Sequence, residues 1–172
     1  MYSSNTRWFN RFLLAGAIFF SLSALSEGSL QSRMEALLVI TQVDGKETFA
    51  TAKSVEPGQV IEYRTVYSNS GVSPISNLSV VGPVPAGTRY LDKSATSSVT
   101  HVFEASIDGG SSWHTEPLMR TVTQADGSKT QEVVPPEEYS HVRWKAAEAI
   151  ARNSRQEYRY RVFVLPTEDN AK

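Results

Sequence analysis

Chemistry in this chain would have to come from few places. There are three histidines, His101, His114 and His141, and no cysteine. No two histidines have the His-x3-5-His spacing of a zinc site, and no thiolate is present to complete one. His101 and His141 fall in strand-like patterns, where an imidazole packs or rims a core. Ser, His and Asp can form a triad from separated positions, but no Gly-x-Ser-x-Gly elbow presents a nucleophile. Glu56, Glu137 and Glu138 stand beside prolines and read as solvated turn residues. Asp44, Asp108 and Asp126 each cap a turn, and none opens an EF-hand spacing. No Gly-rich loop leads into a helix to cradle phosphate. The sequence therefore assigns no catalytic, metal-binding or cofactor-binding residue. It is read as a non-enzyme with no cofactor.

Three clusters carry a second meaning. Ser106-Ile107-Asp108-Gly109-Gly110-Ser111-Ser112-Trp113 resembles an Asp-box, the Ser-x-Asp-x-Gly-x-x-Trp hairpin of sialidase propeller blades. The resemblance implies a hairpin whose Asp caps its own turn and whose Trp packs behind it. One copy cannot build a propeller of about four to eight blades. Arg143, Arg155, Arg159 and Arg161 lie near Tyr158 and Tyr160. They could form a basic-aromatic surface for an acidic glycan. Tyr and Arg alternate, however, so they point to opposite faces, and the arginines are expected on the outward face of an edge strand. Asn77-Leu78-Ser79 matches a glycosylation acceptor, but Asn77 is expected at a ladder position.

The elements that would hold these residues are strands. Residues 1–26 form a separate segment, with Arg7 and Arg11, an apolar run over 12–25, and Ala24 and Ser26 before Glu27. That pattern is a secretory signal peptide, and its core is shorter than the roughly 20 residues of a membrane span. Without it the 17 basic residues become 15 against 18 acidic, a net charge of −3. This balance lacks the basic field that nucleic acid or anionic lipid requires. Residues 27–33 read as a leader, 34–166 as one domain and 167–172 as a polar tail.

Within the domain, Glu35–Val43 and Thr48–Lys53 flank the turn at Asp44-Gly45. Residues 92–98 read as a loop, and His101–Ile107 alternates again. Leu118–Gln124 and Thr130–Val134 form a hairpin around Asp126-Gly127. Tyr139–Trp144 is a short strand. Residues 145–152 have helical propensity but too little length, so a connection with one helical turn is expected. Gln156–Leu165 closes the chain, with Tyr158, Tyr160, Val162 and Val164 on one face. About eight to ten short strands at this spacing indicate an antiparallel β-sandwich.

The strongest pattern is Gly58–Leu91. Ile61, Tyr63, Thr65 and Tyr67 share one face of a strand, and Glu62, Arg64 and Ser68 the other. Tyr63 is expected in the core with its hydroxyl paired, and Glu62 in solvent. Asn69-Ser70-Gly71 ends this strand through residues that tolerate positive φ. A second strand runs from Ile75 through Leu78 and Val80, and Pro83, Pro85 and Gly87 break it.

Gly58, Tyr63, Asn69, Gly71, Pro74, Asn77, Val80, Pro85, Gly87 and Tyr90 together resemble the bacterial conserved repeat domain (domain of unknown function eleven). Gly82-Pro83-Val84-Pro85 departs from that family's usual Asp-x-Leu-Pro. The resemblance covers about a fifth of the chain. It implies an immunoglobulin-like module of exported and surface proteins, with no shared catalytic activity. The expectation is a periplasmic or secreted monomer with a binding or structural role toward a cell-envelope protein or glycan. It would have no nucleic-acid partner and no membrane span once the signal is cleaved. The alternatives are a carbohydrate-active or carbohydrate-binding protein using the Asp-box-like hairpin, and an assembly or chaperone subunit acting by strand addition.

Overall fold

The computed structural model describes residues 29–166; the expected signal peptide, the first residues of the leader and the polar tail lie outside them. Eleven strands follow one another: β1 (Leu30–Thr41), β2 (Glu47–Thr51), β3 (Val60–Asn69), β4 (Ser79–Pro83), β5 (Thr88–Tyr90), β6 (Thr96–Ser97), β7 (His101–Ser106), β8 (Met119–Thr123), β9 (Lys129–Val133), β10 (His141–Ala146) and β11 (Arg155–Val164). A single 3-10 turn at Pro136–Glu138 interrupts them. The larger sheet runs β2-β1-β3-β11-β5, with β6 also against β11, and the smaller runs β4-β10-β7. β8 and β9 form a hairpin of their own. Every pairing is antiparallel. The chain is nearly all β, and its arrangement is consistent with a β-sandwich.

Alternation builds the core. Tyr158, Tyr160, Val162 and Val164 are buried along β11, and Val142 and Trp144 face them from β10. Trp144 sits among Phe103, Tyr158 and Tyr160, with ring centroids 5.8–6.1 Å away. Tyr90 stacks between Phe103 and Tyr139. This aromatic layer takes most of the ring area out of water, the main favourable term in folding. The indole Nε1 of Trp144 is buried there without a hydrogen-bond partner.

Several elements differ from the sequence reading. β1 begins at Leu30 inside the expected leader, because Leu30–Met34 pair with Thr65–Asn69 although their side chains are exposed. β6 forms within the expected loop by pairing Thr96 and Ser97 with Arg159 and Tyr158. Residues 147–154 contain no helical turn. The Ala146 N–H bonds Leu78, the Ala147 N–H bonds Thr100, and Ile150 exchanges both backbone bonds with Ile75. Those long-range bonds use the groups a helix would need.

The turn after β3 works by another route than positive φ. Asn69 is buried; its amide donates to the carbonyls of Ser73 and Ile150, and its Oδ1 accepts the Gly71 N–H. Gly71 is required for close approach, since a Cβ there would lie 2.3 Å from Ser29 Cβ. Asn77 has φ 59°. It turns the chain into β4 rather than filling a ladder position.

Candidate functional site

The groups with chemical potential gather on the outer face of the smaller sheet. β7 ends at Ser106 and β10 begins at His141, paired side by side, so the Asp108 hairpin and His141 meet at one corner. The Ser106 hydroxyl donates to Asp108 Oδ1 at 2.6 Å and accepts the Gly110 N–H at 2.9 Å. Asp108 Oδ1 also accepts the Ser112 N–H at 2.9 Å, and Oδ2 accepts the Ser112 hydroxyl at 2.6 Å. These bonds, led by those from Ser106 and Ser112, hold the Asp108 carboxyl well below the ordinary aspartate range. Gly109 and Gly110 take φ of 72° and 87°, which glycine adopts without steric cost. Both oxygens of Asp108 are thus spent on its own turn.

Trp113 completes the hairpin. It is half-buried, with the Arg143 guanidinium 4.2 Å from its ring centroid and His141 edge-on at 6.4 Å. A Cβ on Gly110 would lie 3.3 Å from its Cζ2. One ring face is therefore covered by Arg143, a cation–π arrangement. Arg143 in turn binds Glu104 through Nε at 2.7 Å, and Lys145 Nζ reaches the same carboxylate at 3.0 Å. Glu104 is 8 % exposed. Burial alone would raise its pKa, but hydrogen bonds from Lys145 and Arg143 outweigh that and lower it.

The Ser140 hydroxyl lies 3.3 Å from His141 Nδ1, the spacing of a loose dyad. Its hydrogen goes to the Ser106 carbonyl at 3.0 Å, and it accepts the Gly109 N–H at 3.0 Å. It therefore acts as a brace between the two strands. His114 is exposed and pairs through its backbone with Ala105. His101 Nδ1 lies 3.1 Å from the Val99 carbonyl at the rim of β7. Each histidine thus has its own separate contact, and among the described residues no three of His, Asp and Glu converge as metal ligands.

The arginine group of the sequence reading separates. Arg143 stands on the smaller sheet, whereas Arg155, Arg159 and Arg161 stand on the larger. β11 is not an edge strand: β3 lies on one side, and β5 and β6 lie on the other. Tyr158 and Tyr160 are 1 % and 2 % exposed, so no basic-aromatic surface forms with them. Glu62 and Glu104, two acids at the centre of ion-pair clusters, carried no local signal. Glu62 is closed over by Arg64 of its own strand and Arg161 of β11, and Glu104 by Arg143 and Lys145 of β10; the cross-strand partners are what alternation within one strand does not specify. Among the described residues no helix is long and apolar enough to cross a membrane.

No protein-family model matches the chain, and neither a curated protein nor a solved structure is significantly similar to it.

Proposed function

We propose that the chain is an exported, non-enzymatic immunoglobulin-like module with a binding or structural role in the bacterial cell envelope. The observation that carries this reading is the shared aromatic core between two antiparallel sheets, which leaves outer faces and sheet edges as the working surfaces. The sequence pattern of Gly58–Tyr90 and the signal-like first 26 residues add to it. Export is tested by expressing the tagged full chain in bacteria. The expected product is recovered outside the cytoplasm with Glu27 at its N-terminus; an intact Met1 product in the cytoplasm would sink the idea. A pull-down from envelope extract then looks for the partner. Turnover of an ester, glycoside or peptide, abolished by one point change, would overturn the non-enzymatic part.

A second reading, strand addition, is favoured by the unequal sheets. The larger sheet reaches past the smaller, so Met34 and Ile40 on the inner face of β1 remain 47 % and 44 % exposed. β2 is an exposed edge with no proline or inward charge to block pairing. Sedimentation across a wide concentration range tests this. Self-association or capture of an added strand peptide is expected, and a persistent monomer that captures none would rule it out. The glycan reading at Trp113 has no such observation behind it, since Arg143 covers a face of the ring.

A further inference from the structure

On the outer face of the larger sheet, acids and arginines alternate across strands. Arg161 binds Glu47 at 2.7 Å and Glu62 at 3.0 Å, and Arg64 binds Glu62 at 2.7 Å. Arg64 and Arg159 both approach Glu157. Arg155, at the start of β11, lies beyond Glu157, the last acid of that strand on this face. Arg33, Arg64 and Arg155 line an open groove of about 390 Å³ with Gln31, Ser68 and Val66.

The register explains why these side chains meet. Val66 stands opposite Arg33, and Ser68 stands opposite both Gln31 and Arg155. Alternation then puts all of them on one face of three adjacent strands. Glu35 is the acid in the groove lining, and Arg33 holds it at 2.5 Å. Arg155 is exposed and has no carboxylate partner among the described residues. Arg64 Nε is buried; it lies 3.4 Å from Glu157 without the alignment of a hydrogen bond. Of the three lining arginines, Arg33 pairs with Glu35 and Arg64 with Glu62, so Arg155 brings the cation without a carboxylate partner among the described residues, on a chain whose net charge is −1.

Guanidinium forks match oxyanions in geometry as well as charge. Gln31 and Ser68 add hydrogen-bonding groups for hydroxyls. Val66 alone is too little apolar surface for a lipid chain. A nucleic-acid backbone needs a run of cations, and here Glu62 and Glu157 adjoin the groove and would repel its next phosphates. The groove volume falls in the range of about 300–1,000 Å³ usual for small ligands. We propose that this groove binds an acidic sugar, with the carboxylate on Arg155 and Arg33 and the hydroxyls on Gln31 and Ser68. The site is on the opposite sheet from Trp113 and stands whether or not the chain is exported.

Backbone-amide NMR titrations of the folded protein with glucuronate, glucose and inorganic phosphate, each to about 10 mM, test the proposal at the weak affinities of single sugars. Glucuronate is expected to give saturable shifts at Arg33, Val66, Ser68 and Arg155, and glucose none. Arg155→Ala and Arg33→Ala should each weaken glucuronate at least about tenfold, and Arg155→Lys should weaken it less, since it keeps the charge and loses the fork. Arg155 is exposed, so the melting temperature of Arg155→Ala should match the wild type and separate lost binding from lost fold. Unsaturable glucuronate shifts, glucose binding of similar strength, phosphate binding as tightly as glucuronate, or unchanged affinity in Arg155→Ala would each overturn it.

Discussion

The hydroxyl of Tyr160 donates a 2.6 Å hydrogen bond to the carbonyl of Pro83, tying a buried ring of the larger sheet to the edge strand of the smaller. Pro83 has no N–H to give a neighbouring strand, and its carbonyl is used here. One residue earlier, Gly82 lies against the same ring: a Cβ there would come within 2.5 Å of Tyr160 Cε1. Tyr160→Phe should cost about 0.5–1.5 kcal/mol, the net value of one hydrogen bond. Gly82→Ala should cost about 1–3 kcal/mol by overpacking. Urea melts check both, and a neutral Gly82→Ala would mean the two sheets sit further apart than described.

Glu62 and Tyr63 invert the order of burial that alternation suggests. Glu62 does lie on the outer face, yet it is 3 % exposed because Arg64 and Arg161 close over it. Tyr63 faces inward but is only partly buried, stacked on Tyr160 at 5.1 Å. Glu62→Ala should therefore cost about 1.5–3 kcal/mol, the range for hydrogen bonds to charged groups. Tyr63→Ala should cost about 2–3 kcal/mol, below the 3–5 of a fully buried ring. Denaturant midpoints decide it; a Glu62→Ala protein as stable as wild type would show that the ion pairs contribute nothing.

The same two residues show what the sequence can and cannot disclose. The faces of β3 and β11 were legible, since period-two alternation is a property of one strand. Burial of the outer face was not, because Arg161 and Glu62 are 99 residues apart and nothing local announces that β11 lies beside β3. For the same reason β11 read as an edge although it is central. Residues 145–152 have helical propensity, but Ile150 finds Ile75, and a tertiary partner overrides a weak local preference. The Asp108 hairpin was legible because the bonds that Asp108 and Ser106 make within it span only a few residues. The Arg143 cover over Trp113 comes from another strand and was not.

In the Asp108 hairpin, Asp108→Ala removes the acceptor for the Ser112 N–H and the Ser112 and Ser106 hydroxyls. The Ser112 amide should exchange with solvent markedly faster, while amides of β3 and β11 should keep their wild-type rates. Hydrogen exchange read by NMR distinguishes this from global loss, in which all these amides would speed up together. The depressed carboxyl sets the pH sense. Its support is present above the ordinary aspartate pKa and is lost only as pH falls through the lowered one. The wild-type hairpin should therefore hold through mild acid.

Alkali should act through the tyrosines. Tyr63, Tyr67, Tyr90, Tyr139, Tyr158 and Tyr160 all have raised pKa values, chiefly through burial, and that of Tyr90 rises to about 12. Below the unfolded value near 10 these groups are neutral in both states and the fold keeps its full stability. As pH rises from there toward the folded values, the unfolded chain ionises first and stability falls. Urea midpoints should be flat to about pH 9.5 and then drop steeply. Tyr90→Phe should make that drop shallower, and an unchanged slope would remove Tyr90 from the account.

β1 and β11 flank β3 and run parallel to each other. Leu30 and Arg155 lie near Asn69 and Ser68 at one end of the sheet, and Val39 and Phe163 both face Val60 at the other. The described chain thus enters at one end of the longest ladders and leaves at the opposite end. Tension drawn between Ser29 and Leu165 would slide β1 and β11 along β3 in opposite directions. Ladder hydrogen bonds run across the strands, so many would be strained at once instead of peeling singly. Single-molecule pulling from those two points should give one high rupture force. Pulling β1 away from its Thr41 end, where the ladder opens pair by pair, should give a much lower one, and equal forces would mean the ladders do not carry the load.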